Sequence, residues 1–264
     1  MTLLFALEEG GECLRALASA RAIARAAGWS VRILRVPQGA GGGIPDVPHK
    51  LARDAEIVDL GDEPVREILA AVRADDVNVL SFCLAGILCD HDGELTEHLL
   101  REAAASLLIG RPGIREVTGI KRVLVPLEGS PSSSEAMRHA EEGFCTKGRE
   151  IIALHVVTSD VPLEPGSLPA PRMMDQEHYE WMSWREEFTM RFSQCPQGGR
   201  HRTIVRVGDP GEVIRQEALE LGADVIVAAW NRSLDEGHCA RVKALLEGTP
   251  CPLLLVPAPA PMTI

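Results

Sequence analysis

KRVLVPLEGSPSSSEAMRHAEEGFCTKGREIIALHVV, residues 121–157, reads as strand, helix and strand in succession. The apolar run Lys121 to Leu127 fits a buried strand. Ser130 is placed to cap a helix with Pro131 in its first turn, and that helix is expected to run to Lys147 before EIIALHVV resumes as strand. The opening of the chain has the same order. Thr2 to Leu7 is a short apolar run, Gly11 to Ala27 has helical composition, Gly28 stands where a C-cap glycine belongs, and WSVRILRV at 29–36 is rich in strand formers. A unit that comes round twice at long period decides the architecture before any other feature.

Both copies continue alike. A polar, Pro/Gly-rich stretch leads to a strand, AEIVDL in the first copy and TIVRV in the second, and then to a helix opening at an acidic residue and a proline, within residues 61–65 and 208–213. After each of these helices comes an Ala-Asp pair and a hydrophobic strand, DDVNVLSF or ADVIVAAW, and each half closes on a helix and a last strand, SLLIG or PLLLV. Several of these strands are unbroken apolar runs, the pattern of a parallel sheet covered by helices on both faces. Two tandem Rossmann-like α/β domains follow, 1–117 and 118–264, each with five parallel strands, joined by a linker in which Pro112 and Gly113 end the first half. In such sheets a ligand crevice lies at the carboxyl ends of the strands.

The 264 residues, 45% hydrophobic and 25% charged, suit two ordinary folded domains. The net charge of −11 divides into −6 and −5 at residue 117, so neither half has the surplus of Lys and Arg that a nucleic-acid partner requires. No apolar run reaches the ~18 residues that cross a bilayer, and Glu8 and Glu9 interrupt the apolar start without a basic segment before it, so neither a membrane nor a signal peptide is expected. Seven scattered cysteines, an odd number, argue against a disulfide framework and for a reducing, cytoplasmic compartment.

KRVLVPLEGSPSSSEAMRHA, VGDPGEVIRQEALELGADVIVAA and EGTPCPLLLVP together resemble the first strand and helix, the third helix with the fourth strand, and the final strand of a universal stress protein. The resemblance spans about 119–257 and, through the repeated order of elements, the first half more faintly. It implies the adenine-nucleotide alpha-hydrolase-like version of the fold, a role in the stress response as a binding or regulatory module without catalysis, and pairing of the two halves as an intramolecular pseudo-dimer, with two chains pairing again as a homodimer. ATP-binding members carry two glycines three residues apart after the fourth strand and a Gly-Ser or Gly-Thr further on, so that bare backbone amides and a hydroxyl close around triphosphate. Here Ala229, Trp230, Asn231 and Arg232 stand at the first position, and Cys239-Ala240 where Gly-Ser is expected. In the first half Gly93-Glu94 would set a carboxylate against phosphate. The expected cofactor is therefore none, with ATP as the alternative.

By the same resemblance Glu128 and Glu8, after the first strand of each half, lie where an acidic residue would meet a ribose or adenine, and Glu128, Gly129, Val156, Val157 and Ala229 would line a degenerate nucleotide site. The alternative for Glu128 is a favourable charge at a helix start. Trp230 either plugs the space left by phosphate or stacks on a flat ligand. Cys83, Cys89, Asp90, His91 and Asp92 include metal-ligand types but not the spacing of a zinc site, so no metal is expected. The chain has neither a Gly-x-Ser-x-Gly elbow nor a completed P-loop, and GAGGG at 39–43 reads as a flexible loop. Ser132, Ser133 and Ser134 read as helix-capping hydroxyls. Trp181, Trp184, Phe188 and Phe192 form an apolar stripe along a helix expected at 175–193.

Overall fold

The computed structural model describes residues 1–37, 43–73, 77–84, 101–103, 105–127, 131–157, 198–230 and 244–258. The first half contributes β1 (Thr2–Leu7), α1 (Gly11–Ala27), β2 (Ser30–Arg35), α2 (His49–Ala52), β3 (Ala55–Asp59), α3 (Pro64–Arg73), β4 (Val77–Cys83) and β5 (Ser106–Gly110). The second contributes β6 (Arg122–Leu127), α4 (Pro131–Phe144), β7 (Glu150–Val157), β8 (Arg200–Val207), α5 (Pro210–Glu220), β9 (Val225–Trp230) and β10 (Leu253–Pro257). Local chemistry sets several boundaries. Gly28 ends α1 in the left-handed conformation, φ 72°, which a side chain resists. Asp209 caps α5, its carboxylate accepting from the Glu212 amide at 3.0 Å, with Pro210 in the first turn. β8 begins three residues before the TIVRV run because its ladder with β7 continues back to Glu150 and Arg200. The polar stretch after β2 contains α2, a single turn.

The ten strands among the described residues form one sheet in the order β3-β2-β1-β4-β5-β10-β9-β6-β7-β8. Each half is parallel throughout and has the same internal order, its first strand central and its third at the edge. The halves meet where β5 and β10 run antiparallel, Leu108 opposite Leu254. Alternate residues of each central strand face opposite sides. Leu4 and Ala6 of β1 join a core with α3 and α5, while Leu3, Phe5 and Leu7 join one with α1 and α4. Each core draws residues from both halves. Burial on both faces accounts for the unbroken apolar runs in the sequence.

The linker is tied down at both ends. The Val117 amide donates to Ser19 Oγ at 3.0 Å on α1, and Arg115 donates to Asp224 Oδ1 at 2.7 Å. Asp224, buried, also accepts from the amides of Lys121 and Arg122 at 2.7 and 3.0 Å, which brings the start of β6 against the start of β9. Across the two halves, Trp29 meets Phe144 edge-on at 6.1 Å, and Arg149 donates to the Ala26 carbonyl at 2.8 Å.

Candidate functional site

In each half the crossovers diverge between the first and fourth strands, β1 and β4 or β6 and β9, the point where sheets of this kind place a ligand crevice at the carboxyl ends of their strands. In the second half the strands end here at Leu127, Val157 and Trp230 of β6, β7 and β9. The His155 imidazole donates from Nδ1 to the Leu127 carbonyl at 3.0 Å, locking the ends of β7 and β6 together. Sequence reasoning passed over His155, since one histidine inside an apolar strand carries no pattern; only the register of Leu127 with His155 reveals it.

Trp230 is 2% exposed and packs with Ile226, Ala228 and Leu255 in the core on the α5 side. An indole so enclosed offers no open face to a flat ligand. Ala229 faces the other way, toward the α4 side. Val156 and Val157 are half-buried at the end of β7, with Val156 against the same core as Trp230 and the Val157 carbonyl accepting from the Gly208 amide at 3.0 Å. The sheet therefore brings Val156, Val157, Ala229 and Trp230 to one end, but directs Ala229 and Trp230 to opposite faces. Glu128, Gly129, Asn231, Arg232 and Cys239 lie outside the described residues, as do Gly93, Glu94, the loop with Cys89 and His91, and the aromatic stripe of 181–192.

At the corresponding end of the first half, Glu8 is 4% exposed and lies by Cys13. The Cys13 thiol is hydrogen-bonded to Cys83, and this bond, burial and the nearby Glu8 charge all push its pKa upward. Cys83 ends β4 buried, as a strand-terminal core residue. Among the described residues no group of His, Cys, Asp and Glu is arranged to hold a metal.

A second polar cluster lies away from these crevices. His201 Nε2 is 3.3 Å from Cys145 Sγ and 3.4 Å from Glu141 Oε1. Burial pushes the Glu141 carboxyl up to about 7 and the His201 imidazole down, so both are driven toward their neutral forms. Cys145 is disulfide-bonded, a departure from the expectation of reduced thiols throughout. Pairing of cysteines requires Cα atoms within about 7 Å, a proximity created by the folded chain and not visible in spacing.

The sequence profile of the universal stress protein family matches residues 119–257. Comparison with curated proteins finds no match. Among solved structures, a universal stress protein from Archaeoglobus fulgidus DSM 4304 is similar over 96% of this chain and 98% of its own, at 15% identity and a TM-score of 0.59. A functionally unknown protein from Pseudomonas aeruginosa PAO1 is similar over 97% of this chain and 92% of its own, at 11% identity and a TM-score of 0.61. These two likenesses cover both halves and concern the fold. No helix among the described residues is long and apolar enough to cross a membrane.

Proposed function

The chain belongs to the universal stress protein family, and from that membership we propose that it is a tandem binding and regulatory module without catalytic turnover, whose crevices do not hold ATP in the manner of the family's glycine-bearing members. The observation that carries this reading is the end of β9. Where bare backbone would approach a triphosphate stands Ala229, with its β-carbon, followed by an indole committed to the core. A buried Trp cannot swing aside cheaply, since emptying its site costs about 3 to 5 kcal/mol. The β5–β10 ladder supports the companion proposal that each half serves as the other's partner, at the effective concentration a covalent link provides. Pairing of two whole chains and residence in the cytoplasm are further proposals, the first tested by sedimentation at several concentrations, the second by fractionating cells that express the chain.

Calorimetry with ATP and Mg²⁺ tests the main reading. No saturable heat is expected from the wild type, and none from Trp230→Phe, which keeps an aromatic core. Tight stoichiometric binding by the wild type would overturn it, in favour of an adenine-nucleotide-binding stress protein, and nucleotide hydrolysis would overturn the absence of turnover.

A further inference from the structure

Outside the crevices, a groove of about 440 Å³ runs along α1 between that helix, the α2 turn and the linker at 116–118. None of its lining residues belongs to a strand, so it is separate from the strand ends. Its charge is opposite to that of the molecule. Arg15, Arg21, Arg25 and Lys50 line it against Glu116 alone, in a chain of net charge −11.

These cations are poorly compensated. Arg15 is paired with Glu12, but among the described residues no carboxylate lies within ion-pair distance of Arg21, Arg25 or Lys50. Arg21 donates from Nη2 to the Arg53 carbonyl, while its Nη1 is buried without an acceptor. Arg25, four residues on, lies one turn further along the same face of α1, where like charges repel. Burial and the Arg25 charge lower the Arg21 pKa, against a smaller opposing effect of Asp54. An unsatisfied buried guanidinium nitrogen is costly, and the uncompensated charge of Arg21 is stabilised by an anion in the groove that it lines. The far wall is held in place by the bond from Val117 to Ser19 at 3.0 Å.

We propose that this groove binds a small molecule carrying a phosphate group, with Arg21, Arg25 and Lys50 around the phosphate and the remainder of the ligand against Leu14, Ala18 and Leu51. Three cationic donors from two elements match a tetrahedral dianion, whose terminal oxygens can each take a donor, better than a carboxylate, which has two oxygens. The volume lies in the range of small-molecule sites and exceeds what a bare ion occupies. The apolar side chains beside the cations supply surface for an organic group. The proposal concerns a site distinct from the crevices and does not depend on whether they bind nucleotide.

Calorimetric titration of the full chain with phenyl phosphate at low ionic strength tests it. A saturable heat is expected, weakened about tenfold or more in Arg25→Gln and in Lys50→Gln, both at exposed positions, and unchanged in Arg66→Gln on α3. Inorganic phosphate is expected to bind the same site more weakly. Lack of saturation in the wild type, equal affinities in all four proteins, or equal binding of inorganic and phenyl phosphate would overturn the proposal. So would sedimentation with phosphatidic acid vesicles that is lost in Lys50→Gln, which would assign the groove to a lipid headgroup.

Discussion

Asp224 shows how much one side chain can organise. It follows the Ala that ends the α5 crossover, and from that buried position its two oxygens collect two backbone amides and a guanidinium from the linker and the start of β6. Asp224→Ala leaves those donors without their charged acceptor and is expected to lower stability by about 3 kcal/mol, with Asp224→Asn milder, as measured by urea unfolding. Glu141 is expected to act through pH. Its folded-state pKa, about 7, lies above that of an unfolded carboxyl, so the native state binds the extra proton between about pH 4.5 and 7. This residue's contribution is therefore fully present below the unfolded pKa and is lost as pH rises through about 7. Its neighbours in the cluster, Glu142 and His201, are expected to modulate the effect, and Glu141→Gln should flatten the stability profile over that window. A profile identical to wild type would refute the assignment. That an acid would precede β9 was legible as the Ala-Asp pair before each fourth strand; its three partners were not, because they lie up to 109 residues away.

At the scale of elements, the caps and strand runs did most of the work. Asp209 and Pro210 were readable as a helix start because the capping interaction spans only three residues, from Asp209 to Glu212. Asp209→Ala is expected to cost about 1 kcal/mol, checked by thermal unfolding, with the fold unchanged by circular dichroism. The strands were readable because two-sided burial leaves a continuous apolar signal. The face each residue of β9 would take was not, since an unbroken run is equally consistent with either phase. Only the pairing of β9 with β6 and β10 sends Trp230 to one core and Ala229 to the other. The residue types at the end of β9 were thus legible, and their geometry was not.

For the whole molecule, the antiparallel seam of β5 and β10 has a mechanical consequence. Both cores cross it, so the two halves do not own separate interiors. A single cooperative transition is expected in calorimetry, with van't Hoff and calorimetric enthalpies in agreement, where two resolved transitions would show independently folding halves. Leu254 is fully buried opposite Leu108, so Leu254→Asp is expected to destabilise the entire chain and not its second half alone, as followed by residue-resolved hydrogen exchange.

The amino-acid order by itself determined the kind and succession of elements, the duplicated plan and the residue types at the end of β9, because propensity, capping and burial periodicity act within a few residues. Tertiary structure alone decided the seam, the burial of Trp230 and the placing of Lys50 in one groove with the arginines of α1. Those features join segments tens to more than a hundred residues apart, and contacts of that separation leave no imprint on any local stretch of chain.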